Sequence, residues 1–292
     1  MRAPLLLVVI GIASALGPGA SAQQQVFKSG TQVVPIYATA VDARGQLVSD
    51  LTEADFQIED NGTRQVVTVF KHDIQPITIA ILLDASPSLF PAAGQTVAAV
   101  RELARRLLPD DRACLGTFSQ SVTLDPRLAA GGDFVLARLD APTPWPAGTA
   151  IWDAVEAGRS ALAAEGGRRV VLIVTDGADN ASRVDPDVTR AGLQREGVMV
   201  YAILVRGRFG LETSEIGALA NATGGRWLEL KSSADVPAAM QGIVDELHQQ
   251  YVLGFKPAAL DGKLHRLDVK VKRPGVTVRA RRTYLAAATV DR

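Results

Sequence analysis

One cysteine, three histidines and no surplus of either charge are all that 292 residues offer of the groups that most often announce a chemistry. Cys114 stands alone, so no intramolecular disulfide can form, and its apolar setting (Ala113-Cys114-Leu115-Gly116) suits a buried, inert thiol. His72, His248 and His265 are dispersed, which excludes a histidine metal cluster by sequence spacing and leaves surface or packing roles. Thirty-one basic against 31 acidic residues give no electrostatic argument for nucleic acid. Beyond the N-terminus no apolar run approaches the roughly 20 residues of a membrane-spanning helix. Gly-x-Ser-x-Gly, Gly-x-x-x-x-Gly-Lys-Ser/Thr and a post-strand Gly-x-Gly-x-x-Gly are all missing, so the serine-hydrolase elbow and the common nucleotide cradles are excluded.

What is present begins with Met1-Arg2, the apolar run Leu5 to Leu16, and the small-residue site Ala20-Ser21-Ala22. This reads as a secretory leader over residues 1–22, and no cysteine follows it to carry a lipid. Export without disulfides fits a periplasmic or cell-surface protein, and the Ala, Arg, Val and Gly usage fits a bacterial chain. At 47% hydrophobic, the remainder can bury a full α/β core with material left for a smaller domain.

Two β-rich regions enclose a different pattern. Residues 31–42 are β-rich, and Phe56–Glu59 and Val66–Val69 flank the turn pair Asn61-Gly62. Near the other end, Leu267, Val269 and Val271, then Val276, Val278 and Ala280, alternate with polar residues around Pro274-Gly275. That pattern predicts a hairpin with one apolar face, its other face carrying Lys270, Lys272, Arg279 and Arg281 toward solvent or an anionic surface. Between these regions short apolar runs at Ile77–Leu83, Ala113–Phe118, Val170–Thr175, Val198–Val205 and Arg226–Leu230 alternate with amphipathic stretches of helical length, with an edge strand at Val122–Leu124. The helices fall near Gly94–Leu108, Ala150–Ala164, Asp187–Glu196, Ser214–Ala220 and Ala234–Gln249. Unbroken apolar strands separated by helices predict a doubly wound, mostly parallel sheet over residues 75–250. Since a lone hairpin is marginal in water, residues 23–74 and 251–287 are expected to pack together as one small β domain around that insertion. The final helix runs almost directly into Tyr251, as a transmitting element or a static packing one.

Oxygen-bearing side chains gather where the first and third apolar strands end. Leu83-Asp84-Ala85-Ser86-Pro87-Ser88 offers one carboxylate and two hydroxyls, which also suit helix capping; Val174-Thr175-Asp176-Gly177 offers a second acid; Thr149 opens a helix between them. An all-oxygen set suits Mg²⁺, Mn²⁺ or Ca²⁺ rather than zinc or copper. Asp179 and Asn180 read as solvated turn residues or as part of the rim.

The pattern Asp-x-Ser-x-Ser, a distant Thr and a later Thr-Asp-Gly resembles the von Willebrand factor type A domain with its metal-ion-dependent adhesion site. Asp84, Ser86, Ser88, Thr149 and Asp176 match its five positions. The flanks, including Leu51-Thr52-Glu53-Ala54-Asp55-Phe56 and Tyr251-Val252-Leu253-Gly254-Phe255, are similar to exported bacterial proteins described as von Willebrand factor A-related. The resemblance implies a doubly wound sheet with the site at its topological switch point, a divalent cation (Mg²⁺ foremost), and a protein partner supplying a carboxylate to it. It implies a binding module rather than an enzyme. A metal-assisted hydrolase and a structural envelope protein with an unused site are the alternatives.

Overall fold

Eight consecutive buried residues, Ile77–Asp84, make the middle strand of the molecule, and only burial on both faces explains so continuous an apolar run. The computed structural model describes residues 33–139, 143–205 and 214–287; the expected leader lies outside the described residues. The chain opens with β1 (Val34–Val41), β2 (Phe56–Asp60), β3 (Thr63–Gln65) and β4 (Val69–Lys71). It continues through β5 (Ile77–Asp84), α1 (Ala93–Arg106), β6 (Arg112–Phe118), β7 (Val122–Leu124), β8 (Ala129–Ala130), α2 (Asp133–Leu139) and α3 (Ile151–Ala161). Then follow β9 (Arg168–Thr175), α4 (Pro186–Glu196), β10 (Met199–Val205), α5 (Ser214–Thr223), β11 (Trp227–Leu230) and α6 (Val236–His248). Strands β12 (Tyr251–Phe255), β13 (Leu264–Val271), β14 (Thr277–Arg279) and β15 (Thr283–Leu285) close the fold.

The central sheet has the order β11-β10-β9-β5-β6-β7, with β8 also on β6. Its five long strands are parallel; β7 and β8 are antiparallel additions at the edge. Alternate residues of β5 serve opposite cores. Ile77, Ile79, Ile81 and Leu83 pack under α1, α2 and α6, whereas Ala80 and Leu82 pack under α3, α4 and α5. This is the doubly wound sheet expected from the alternation of strands and helices. Gly158 lets α3 lie close on it, since a Cβ there would sit 3.0 Å from Leu82 and 3.1 Å from Val171.

The terminal strands form two facing four-stranded sheets, β14-β1-β12-β4 and β15-β13-β2-β3. N-terminal β1 pairs with C-terminal β12, and N-terminal β2 with C-terminal β13. Their inward residues, among them Ile36, Ala38, Phe56, Ile58, Leu253, Phe255 and Leu267, share one core. The turn at Asn61 (φ 47°) and Gly62 (φ 81°) joins β2 to β3, so the return arm begins at Thr63, earlier than the Val66 start expected from sequence.

The expected C-terminal hairpin is not formed. β13 pairs with β2 and β15, and β14 with β1, so the two arms face each other across the sandwich. Alternation marks one apolar face on each arm, and stacking satisfies that demand as well as pairing does. The four basic residues therefore share no face: Lys270 reaches Glu59 and Asp268, Lys272 donates to the Ala54 carbonyl, Arg279 meets Glu246, and Arg281 donates to the Pro35 carbonyl.

Glu246 near the end of α6 joins sandwich to sheet. It is 2% exposed and accepts from Thr39 of β1 (3.2 Å), Tyr201 of β10 (2.5 Å) and Arg279 of β14. Burial, followed by the Glu246 charge, holds the Tyr201 phenol protonated well above its ordinary range. Arg168 of β9 reinforces the junction by donating to the Leu247 carbonyl and lying over the Tyr37 ring at 4.9 Å. Removing one member of a buried pair leaves the other uncompensated, so Glu246→Ala is expected to lower unfolding free energy by about 3–5 kcal/mol. Urea denaturation checks this, and an unchanged midpoint would show that the sandwich is held by apolar contact alone.

Candidate metal centre

The site begins with strand order. β5 and β9 are neighbours, and the chain leaves β5 toward β6 on one side and β9 toward β10 on the other, so the crevice at their C-terminal ends is the switch point of the sheet. Leu83 pairs with Val174, which sets Asp84 beside Thr175 and Asp176. Asp84 is 2% exposed; its Oδ2 accepts the Thr175 hydroxyl at 2.6 Å and its Oδ1 the Ser86 amide at 2.7 Å. A turn from Ser86 to Leu89 curls the next residues back over the strand end, with Leu89 buried beneath as its anchor. Ser86 Oγ then lies 3.1 Å from Ser88 Oγ, and Ser88 Oγ donates to Asp176 Oδ1 at 2.9 Å. Ser88 is exposed while the other four candidates are buried, so the cluster opens to solvent there.

Thr149 arrives on a separate loop that turns at Gly148, whose φ of 99° suits glycine. A Cβ built on Gly177, next to Asp176, would lie 3.6 Å from the Thr149 hydroxyl oxygen. The structure thus brings Asp84, Ser86, Ser88 and Asp176 into one bonded cluster and sets Thr149 at its side.

Asp179 and Asn180 are exposed, as solvated turn residues would be, and their side chains also bond the neighbouring loop. Asn180 Oδ1 accepts the Thr149 amide at 2.9 Å, and its own amide donates to the Thr149 carbonyl at 3.0 Å. Asp179 accepts the Ile151 amide at 2.8 Å, and Ser182 Oγ accepts the amides of Trp152 and Asp153. These side chains cap α3 from outside, because Ala150 at its N-cap has no side-chain oxygen to do so. The missing cap is the signal that sequence reading could have used. Thr175 also went unremarked, and so did an aromatic pair on the rim. Phe90, 61% exposed, meets Trp145 edge-to-face at 5.2 Å.

Both carboxyls are pushed above the ordinary carboxylate range. For Asp84 burial is the largest cause, partly offset by hydrogen bonds from Thr175 and Ser86. For Asp176 burial again leads, and the Asp84 charge adds to it. Among the described residues no Lys, Arg or His forms an ion pair with either acid, and no group of three or more His, Cys, Asp or Glu is arranged to hold a metal. What the cluster offers is two acids and three hydroxyls, its negative charge not ion-paired by any side chain among the described residues, which fits a hard divalent cation.

No protein-family model matches the chain, and no curated protein sequence does. Solved structures do. Proximal thread matrix protein 1 from the mussel byssus, in a structure with a zinc-occupied MIDAS motif, superposes with a TM-score of 0.53 at 24% identity, over 63% of this chain and 48% of that one. A second crystal form gives 0.50 at 22%, over 63% and 49%. The ArnB paralog VWA2 from Sulfolobus acidocaldarius gives 0.51 at 10%, over 88% and 76%. The fold is von Willebrand factor A-like. At these identities the likeness concerns the fold, and the chain spans about half the length of the mussel protein. In this von Willebrand factor A-like layer, Asp84 and Asp176 end the two neighbouring strands β5 and β9.

The electrostatics give a signed prediction. A carboxyl whose folded pKa is raised contributes stability that is complete below its unfolded pKa of about 3.9 and lost as pH rises through the folded value. In metal-free protein Asp176→Asn should therefore raise the thermal midpoint at pH 7 and leave it near wild type at pH 3. Its amide oxygen can still accept from Ser88. A variant less stable than wild type at pH 7 in EDTA would contradict this.

Proposed function

We propose that this chain is an exported, non-enzymatic binding module that holds a protein partner through a divalent cation at Asp84, Ser86, Ser88, Thr149 and Asp176. The observation that carries the reading is the pair of buried, uncompensated carboxylates beside three hydroxyls at the switch point. Asp84, fixed by Thr175 and the Ser86 amide, and Asp176, fixed by Ser88, supply the charge that balances a divalent ion. Ser86, Ser88 and Thr149 add neutral oxygens and leave it unneutralised. When bound, the cation supplies an electrophilic position for a partner's carboxylate.

Ser88 and the Phe90–Trp145 pair shape what can approach. The exposed hydroxyl marks the open side, and the exposed Phe90, two residues on and backed by the partly buried Trp145, suits a macromolecular surface, where aromatic anchors carry much of the binding energy. Export rests on residues 1–22, and no helix among the described residues is long and apolar enough to cross a membrane. Hydrolysis would need a base near the cluster, and the histidines are engaged elsewhere: His72 stacks on Tyr251, His248 bonds Asp111, and His265 bonds Asp60. The resident ion is proposed as Mg²⁺ on the hardness of the donors; zinc in the mussel protein's motif makes Zn²⁺ a necessary arm of any titration.

Affinity capture from envelope extract of the source cell tests the proposal. Partner retained in Mg²⁺ should be released by EDTA, and Thr149→Ala should weaken capture by about tenfold or more with the metal-free thermal midpoint unchanged. The same protein captured equally in EDTA, or by Thr149→Ala, would overturn it.

A further inference from the structure

A second polar concavity lies away from the metal loops, between β13, the β14–β15 link and the end of α5. It has a volume of about 370 Å³ and is lined by Arg266, Arg279, Arg281, Arg282, Asp268 and Asn221, among others. Four arginine residues and one aspartate therefore line it. That carboxylate is engaged, since Asp268 pairs with Lys270 at 3.0 Å. Arg279 is engaged too, by Glu246. Arg266, Arg281 and Arg282 form no ion pair among the described residues; Arg281 donates to the Pro35 carbonyl at 2.7 Å and lies over the Tyr284 ring at 5.9 Å.

The arginines that line the cleft differ in burial: Arg266 and Arg282 are exposed, whereas the Nε atoms of Arg279 and Arg281 are buried and out of a ligand's reach. The Arg281 guanidinium is pushed down to about 10, chiefly by burial, against the opposing influence of Tyr37 and Tyr284. Guanidinium forks match the planar or tetrahedral oxygens of carboxylate, phosphate and sulfate, and an anion between Arg266 and Arg282 supplies the missing counter-charge.

We propose that this cleft binds an oxyanion carried on a sugar-sized body, with Arg266 and Arg282 gripping it from the rim. The volume exceeds what a single inorganic anion fills and lies at the small end of ligand pockets. Sequence pattern pointed to Lys270, Lys272, Arg279 and Arg281, of which only the last two line this cleft; Arg266 and Arg282 converge because the chain crosses from one sheet of the sandwich to the other between β14 and β15.

The test uses the mature protein in EDTA at fixed ionic strength, so its outcome is independent of the metal centre. Calorimetry and thermal melting are run with inorganic phosphate, glucose 1-phosphate and glucuronate, each against glucose and chloride. Saturable binding of at least one anion is expected, and the arm that binds best tells phosphate from carboxylate. Arg266→Gln with Arg282→Gln, both at exposed positions, should keep the fold and weaken that binding about tenfold or more, the scale of one lost charge-assisted hydrogen bond. No saturable binding of any anion, or binding of equal strength by the double variant, would overturn the proposal.

Discussion

Leu83 of β5 lies opposite Val174 of β9, and this parallel register decides where the chemistry can be. Parallel strands deliver their C-terminal residues to one edge of the sheet, so Asp84 and Asp176 must emerge side by side. A slip of one residue would exchange the two faces of β5, moving Ile79 and Ile81 under the wrong helices and exposing both cores at once. The apolar packing that holds the register therefore also holds two acids together, at an electrostatic cost visible in their raised pKa values. Thr175, Ser86 and Ser88 orient and partly offset that charge without neutralising it.

The surrounding loops follow from the same edge. Thr149 opens a helix that cannot cap itself, and the segment after Asp176 supplies the cap through Asp179 and Ser182 while Asn180 clasps the Thr149 backbone. Helix capping and site assembly are thus one set of hydrogen bonds. At the opposite end of α6, Glu246 gathers Thr39, Tyr201 and Arg279, so the last helix of the sheet layer is bonded into the first sheet of the sandwich. Nothing in a single conformation makes that junction a switch, and its buried ion pair accounts for it as a structural joint.

Much of this was legible in the residues. Unbroken apolar runs such as Ile77–Asp84 admit burial on both faces only, and acids at the ends of two such runs, Asp84 and Asp176, marked the candidate site because carboxylates have no packing reason to be there. Other features were not legible. Alternation in Leu267–Val271 and Val276–Ala280 states which side chains are buried but not by what, so a pair of stacked arms reads as a hairpin. α2 is seven residues long with one fully buried side chain, Val135, too short for its period to rise above the loop around it. Asp179 and Asn180 looked like turn residues because their partners, the amides of Ile151 and Thr149, are about thirty positions away. The Arg266–Arg282 cleft depends on a crossing between sheets that no local pattern encodes.

The central claim is that the five-oxygen cluster is a cation site, and the most direct measurement is calorimetric titration of the EDTA-stripped protein with Mg²⁺, Mn²⁺, Ca²⁺ and Zn²⁺ in separate runs. The account requires one ion per chain at the cluster, with the heat abolished by Asp84→Asn and retained by the cleft variant Arg266→Gln. Absence of binding by all four ions, or binding that survives Asp84→Asn unchanged, would contradict it.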